Sequence, residues 1–187
     1  LLVDKKREIG VPVQCGEYMP REDEIRRMFP NSKHIFNLIE LTKASKCNEC
    51  DVVRFITPSG KVYNLKYHAY VIDREKFDKK LASKAEKCGC KISLNTIASN
   101  VNLKRNKILL TSKGYSKIVS FKVLVAADGF ASGIAASLGL KTTSSEDKAV
   151  TIQNVMKNVN LERNVCEMYW SSYYSPGGYS WIIPKGE

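Results

Sequence analysis

The residues of this chain best placed to do chemistry lie between positions 123 and 140, in VLVAADGFASGIAASLGL. An apolar strand pattern runs there into Ala127-Asp128-Gly129 and then into a Ser-bearing helix start. That order suits a strand that must end, turn sharply and bring its backbone close to a dinucleotide. Gly129 can adopt a positive φ, Asp128 offers a carboxylate acceptor, and Ser132 can cap a helix reaching 136–138. The same residues also suit an ordinary strand-turn-helix. At the other end, Leu1-Leu2-Val3-Asp4 reads as the tail of a buried strand closing on an acid. In a Rossmann-like unit such a carboxylate accepts hydrogen bonds from an adenosine ribose. A G-x-G-x-x-G turn is expected about twenty residues before that acid. None precedes Asp4, the first residue is not Met, and the sequence is therefore expected to be a fragment of a longer protein.

Other chemistry-bearing residues point less clearly. Cys47-Asn-Glu-Cys50 has metal-ligand spacing, and Cys88-Gly-Cys90 offers two more thiolates, but without the usual two-residue gap. With Cys15 and Cys166 the total is six, too irregular for a secreted scaffold. Zinc, a disulfide and free thiols all stay open for the two pairs; free thiols are expected and no metal is assigned. His34 and His68, the only histidines, are read as surface or strand residues rather than catalysts.

A formal charge of +11 favours anionic partners, whether nucleic acid, a dinucleotide or an acidic membrane surface. The basic residues are spread along the chain, as on a solvated surface, and no Lys/Arg cluster interleaved with aromatics favours nucleic acid. With 43% hydrophobic residues in 187, the chain can bury one good core or two small ones. No apolar run approaches the roughly 18–20 residues that cross a bilayer, and no signal peptide is visible, so a soluble protein is expected.

The elements that position these residues alternate between helical and extended. A short charged helix is expected over 22–28, and 31–41 fits either period. Segments 52–57 and 61–65 flank Pro58-Ser59-Gly60 as a hairpin. Asp73 then caps a helix over 74–88, with Phe77, Leu81 and Ala85 on one face. Extended segments 92–101 and 107–111 feed 116–127; beyond the turn, 149–159 and 165–170 read as strands, and Pro176-Gly177-Gly178 as a turn. The polar run 142–147 marks a boundary near 145. The fold class is thus α/β, or α+β. Residues 1–145 supply part of a Rossmann-like domain, from its second strand onward with a hairpin insertion, and 146–187 the start of a mainly antiparallel sheet domain.

Four segments together carry a resemblance: EIGVPVQCGE (8–17), YVIDREKFDKKL (70–81), VAADG (125–129) and PGGYSWIIPKG (176–186). In order and spacing they resemble the geranylgeranyl reductase family, its archaeal digeranylgeranylglycerophospholipid reductases in particular. PVQCGE and GGYSWIIPKG are the specific parts, while ADG and DREKFD are common in the wider flavoprotein superfamily that includes hydroxybenzoate hydroxylase-like monooxygenases. The resemblance implies FAD as cofactor and flavin-dependent reduction of isoprenoid double bonds. It implies that Asp4 binds the adenosine ribose, that Cys15, Gly16 and the backbone around Tyr18 lie along the flavin, and that Arg74 directs its guanidinium at ribose or pyrophosphate. A helix start beside Arg74 would also point amide N–H groups at phosphate. Ala98 would contact adenine through its backbone, and Asp128 and Gly129 would form the turn beside the flavin. Tyr179, Trp181 and Pro184 would border a substrate cavity, and Cys15 would lie nearest to proton delivery as the catalytic candidate. Ile183 stands where relatives carry Phe, and Tyr18 where they carry a small residue. Implied partners are a prenylated lipid, an electron donor such as ferredoxin or a reduced nicotinamide, and an anionic membrane surface reached from the cytoplasm. No nucleic-acid partner is expected. The alternatives are a flavin monooxygenase or halogenase on the same fold, and a non-enzymatic basic nucleic-acid-binding module.

Overall fold

The computed structural model describes residues 1–31, 43–144 and 146–186. In chain order it contains β1 (Leu2–Val3), β2 (Tyr18–Pro20), α1 (Glu22–Met28), a 3-10 turn (Lys43–Ser45), β3 (Lys46–Ile56), β4 (Val62–Ile72) and α2 (Arg74–Lys87). There follow β5 (Ile92–Ser93), β6 (Thr96–Asn102), β7 (Lys107–Ser112), β8 (Tyr115–Ser120), α3 (Gly133–Ser137), β9 (Val165–Tyr169) and β10 (Ser180–Ile182). The mixed α/β class expected from the sequence is what forms. By contacts the chain divides into Leu1–Val11 with Ala82–Val150, and Pro12–Leu81 with Thr151–Glu187. It does not divide at a single point near 145.

The unit built on Pro12–Leu81 is organised by a five-stranded sheet in the order β10-β9-β3-β4-β2. Its centre is the β3–β4 hairpin, whose β-branched and aromatic residues pair as Phe55↔Tyr63 and Val53↔Leu65. The hairpin is longer than the sequence pattern marked. Its outer end stays half exposed at Val62, Tyr63 and Leu65, while Cys50, Ala69, Val71 and Ile72 near its base are buried. Strand β9 then joins β3 in parallel, Val52↔Val165 and Val53↔Cys166, a pairing that only a long connection can make. The remaining pairs are antiparallel.

In the other unit, β1 pairs in parallel with β5, and β6, β7 and β8 form an antiparallel sheet. Its core is Ile108 and Leu110 of β7 against Ile134 of α3, with Val3, Ala98, Val119 and Leu124 packed around them.

One expected strand stops short and another does not form. Of the segment expected over 116–127, Tyr115–Ser120 is a strand, whereas 121–127 has no regular structure and Val123 and Val125 are each 79% exposed. Segment 149–159 is likewise irregular, with Val150 and Ile152 almost fully exposed. An apolar, β-branched run becomes a strand only where a neighbour takes its backbone hydrogen bonds, and no described strand pairs with either. The ambiguous segment, from 32 through 41, and His34 within it lie outside the described residues.

Candidate functional site

The most densely bonded group of candidate residues is built on the loop Cys15-Gly16-Glu17. Glu17 holds a left-handed backbone, φ 60°, which costs a non-glycine residue roughly 1 kcal/mol. Its bonds offset that cost. The Glu17 carbonyl accepts the Ile72 N–H at 2.9 Å, continuing the edge of β4. Its carboxylate, in a residue only 3% exposed, accepts the Arg74 amide on Oε1 at 2.9 Å and the Lys185 ammonium on Oε2. One buried side chain therefore ties the loop to the start of α2 and to the segment after β10.

Cys15 sits on the same scaffold. Its Sγ accepts the Glu17 N–H at 3.2 Å and an Arg74 Nη1–H at 3.5 Å. Arg74 is oriented in turn by Asp78, one helical turn on, which accepts from Nε at 2.7 Å. That hydrogen bond, acting against partial burial, raises the already high pKa of the guanidinium, so Arg74 is a fixed cation beside the thiol.

The aromatic segment approaches from the other side. A methyl group built on Gly16 would lie 3.5 Å from Ile183 Cδ1 and 3.6 Å from Trp181 Nε1, so the loop backbone rests on this wall. Tyr179 leans on Trp181 with ring centroids 6.0 Å apart. The segment is fastened by Asn48, whose side-chain amide donates to the Pro184 carbonyl at 2.8 Å, and by Lys185 on Glu17. The expected neighbours Cys15, Gly16, Arg74, Trp181 and Pro184 thus share one unit. Tyr18 differs: it opens β2, stacks on Tyr67, and carries its hydroxyl to a buried position without a hydrogen-bond partner among the described residues. Burial, with Cys166 and Cys50 nearby, pushes that phenol well above its usual pKa.

One expectation is corrected here. At the start of α2 two amides are already taken and not open to a phosphate: Glu17 accepts the Arg74 N–H and Asp73 Oδ1 accepts the Lys76 N–H at 3.0 Å. Two carboxylates at that helix end repel an anion, so attraction for phosphate there must come from the Arg74 guanidinium.

Asp4, Ala98, Asp128 and Gly129 belong to the other unit. Asp4 is fixed through its backbone to Ser93 and Thr96. Its Oδ1 accepts the Lys6 N–H at 2.9 Å, and among the described residues nothing bonds Oδ2, which fits a ribose hydroxyl. Ala98 lies on β6, an edge strand of its sheet, so one side of that backbone is open as an adenine contact requires. Asp128 is committed locally: it accepts the Ser132 hydroxyl at 2.5 Å and the Ile134 N–H at 3.2 Å, while Ser132 caps α3 through the Ala135 N–H. Gly129, at φ 88°, makes the turn that lets Asp128 reach back to the helix. Within this unit, Asp4 and Ala98 keep groups open to a ligand, and the Asp128 carboxylate holds the turn into α3.

All six cysteines are free thiols, with Cys50 and Cys166 buried in the sheet. Sequence reasoning quoted Glu17, Lys185 and Asp78 inside motifs but gave them no role. They lie in CGE, IIPKG and DREKFD, and a charge inside a short motif does not show which charge it meets.

Residues 147–187 match the geranylgeranyl reductase catalytic domain. Over its whole length the chain is 34% identical to the digeranylgeranylglycerophospholipid reductase of Methanocaldococcus jannaschii and 32% identical to that of Methanocella arvoryzae, covering 46% and 47% of those proteins. It thus spans about half the length of the curated relatives it matches. A geranylgeranyl bacteriochlorophyll reductase-like structure from Thermoplasma acidophilum superposes with a TM-score of 0.78 at 29% identity, over 100% of this chain and 47% of that one. The flavin-dependent halogenase CmlS shares the fold alone, with a TM-score of 0.54 at 17% identity over 74% of this chain and 28% of its own. Along its entire sequence and in fold, the chain is similar to these geranylgeranyl reductases.

Proposed function

We propose that this chain forms part of an FAD-dependent oxidoreductase that saturates isoprenoid double bonds, the geranylgeranyl chains of archaeal membrane ether lipids. The observation that carries the reading is the seating of the Cys15-Gly16-Glu17 loop against the Trp181 wall, in a chain similar throughout to digeranylgeranylglycerophospholipid reductases. FAD, when bound in reduced form, supplies a hydride. The residues do the rest. Asp4 holds the ribose, Ala98 offers backbone to adenine, and Arg74 supplies a fixed positive charge. Tyr179, Trp181 and Pro184 wall an apolar channel, where each buried CH2 of a prenyl chain contributes about 0.8 kcal/mol. Cys15 holds a proton on Sγ for the carbon that the hydride leaves unsatisfied. The excess of positive charge attracts the protein to anionic lipid headgroups on the cytoplasmic side, and electrons arrive from a ferredoxin or a reduced nicotinamide.

The test is a chimaera in which this chain replaces the matching segment of the Methanocaldococcus jannaschii relative. The expected result is bound FAD, identified by absorbance and by mass after denaturation, and a mass gain of two hydrogens per double bond in a digeranylgeranyl glycerolipid. Cys15→Ala should keep the flavin and lose turnover. A folded chimaera without flavin sinks the cofactor reading, and a hydroxylated or halogenated product favours the alternative chemistry.

A further inference from the structure

Away from that loop, at the other end of β2, α1 and β4 bring Asp23, Glu24 and His68 together. Asp23 Oδ2 lies 2.5 Å from His68 Nδ1, and Glu24 Oε1 accepts the His68 backbone N–H at 3.1 Å. One ligand atom from each residue can be chosen so that all three lie within 4.8 Å of one another. They line a cavity of 280 Å³ together with Arg27 and Lys66.

A second observation is independent of the clustering. Glu24 is 5% exposed, yet its Oε2 is buried with no hydrogen-bond donor aligned on it. Arg27 Nη2 lies over it at 2.7 Å as an ion pair, but Arg27 is itself 66% exposed. The charge of this buried carboxylate is thus met by a side chain able to leave for water, an arrangement that a cation can take over.

We propose that Asp23, Glu24 and His68 form a binding site for a first-row divalent cation, through two carboxylate oxygens and the His68 Nδ1, with the remaining positions open to water. Imidazole and carboxylate together suit zinc or manganese. Ligand bonds of about 2.1 Å place neighbouring donor atoms about 3.4 Å apart in a tetrahedral shell, so the Asp23–His68 pair must open by about 0.9 Å from its 2.5 Å separation. Asp23 is half exposed and supplies that movement, while His68 and Glu24 stay fixed by the backbone bond between them. The proton shared by Asp23 and His68 leaves to solvent as the cation enters. Arg27 withdraws into water, and Lys66 is the remaining like charge that weakens the site.

The test is a titration of the purified chain with Zn2+ followed by calorimetry and with Co2+ followed by visible absorbance, the latter separating nitrogen and oxygen ligation from thiolate ligation. Saturable one-to-one binding without a thiolate charge-transfer band is expected. Asp23→Asn and His68→Ala should each weaken it at least tenfold, with thermal melts confirming that both variants fold. Arg27→Gln should tighten it several-fold by removing the competing cation. Binding that survives His68→Ala, binding that shows thiolate bands, or no saturable binding overturns the proposal. None of these readouts involves flavin or reductase activity, so this site and the proposed function stand or fall separately.

Discussion

Replacing Glu17 tests whether one buried carboxylate holds the candidate site together. Glu17→Ala removes the acceptor of the Arg74 amide at the start of α2 and the counter-ion of Lys185. Loss of a helix-start acceptor costs about 0.5–2 kcal/mol. Breaking a fully buried ion pair costs about 3–5 kcal/mol, but Lys185 is 37% exposed and can turn to water, so the lower part of that range is an upper bound. The sum is about 3 kcal/mol for Glu17→Ala and about half of that for Glu17→Gln, which keeps an acceptor for the amide. At roughly 2 kcal/mol per molar urea, the midpoint should fall by about 1.5 M and about 0.7 M respectively. A cycle with Lys185→Met should show a coupling of about 1 kcal/mol. The same variants should raise the alkylation rate of Cys15, read by mass spectrometry, because a loop freed from α2 and Lys185 opens Sγ to the reagent. A midpoint shift for Glu17→Ala below about 0.3 M, or additive single and double mutants, would refute the reasoning.

Three further outcomes follow from individual contacts. Burial pushes the Cys50 thiol up to about 11 and the Cys166 thiol up to about 12, so at pH 8 a thiol reagent should label the exposed Cys47 and Cys88 and spare those two until urea is added. Asp73 is held below its ordinary pKa: burial acts to raise it, but the Lys76 amide and ammonium outweigh burial. Its contribution to stability is therefore complete above the usual Asp value near 4 and is lost as pH falls through the lowered one. Asp73→Asn should flatten the acid limb of stability measured by urea midpoints, and an unchanged limb would count against that assignment. Gly186 has φ 110°, and an added Cβ would lie 2.9 Å from the Cys47 carbonyl, so Gly186→Ala should destabilise by about 1–3 kcal/mol. At Gly16 an added Cβ meets only ordinary contacts, so Gly16→Ala should leave the melting temperature nearly unchanged, and any loss of flavin from that variant would report the cofactor itself.

Much of the local structure was legible because local chemistry dictates it. The charged helix over Glu22–Met28, the Asp73 cap of α2 and the Ser132 cap of α3 rest on residues within a few positions of one another. The second half of the strand expected over 116–127 and the whole of that at 149–159 failed for the opposite reason. Their apolar pattern states a need for a partner without naming one, and a strand exists only where that partner is present. The open amide expected at Arg74 failed likewise, since its acceptor is Glu17, 57 residues earlier.

The sequence by itself determined which residues are able to do chemistry: a thiol beside a glycine, an arginine at a helix start, an acid at a strand end and an aromatic run ending in Pro-Lys-Gly. Those are properties of residue type and short spacing. Only the tertiary structure decided which of them meet. The Glu17 to Lys185 contact spans 168 positions, and the Val52↔Val165 pairing that carries the aromatic segment to the hairpin is also long-range. Such contacts form because buried charges must find a counter-charge and strand edges must find a neighbour, and no local pattern records which ones they find.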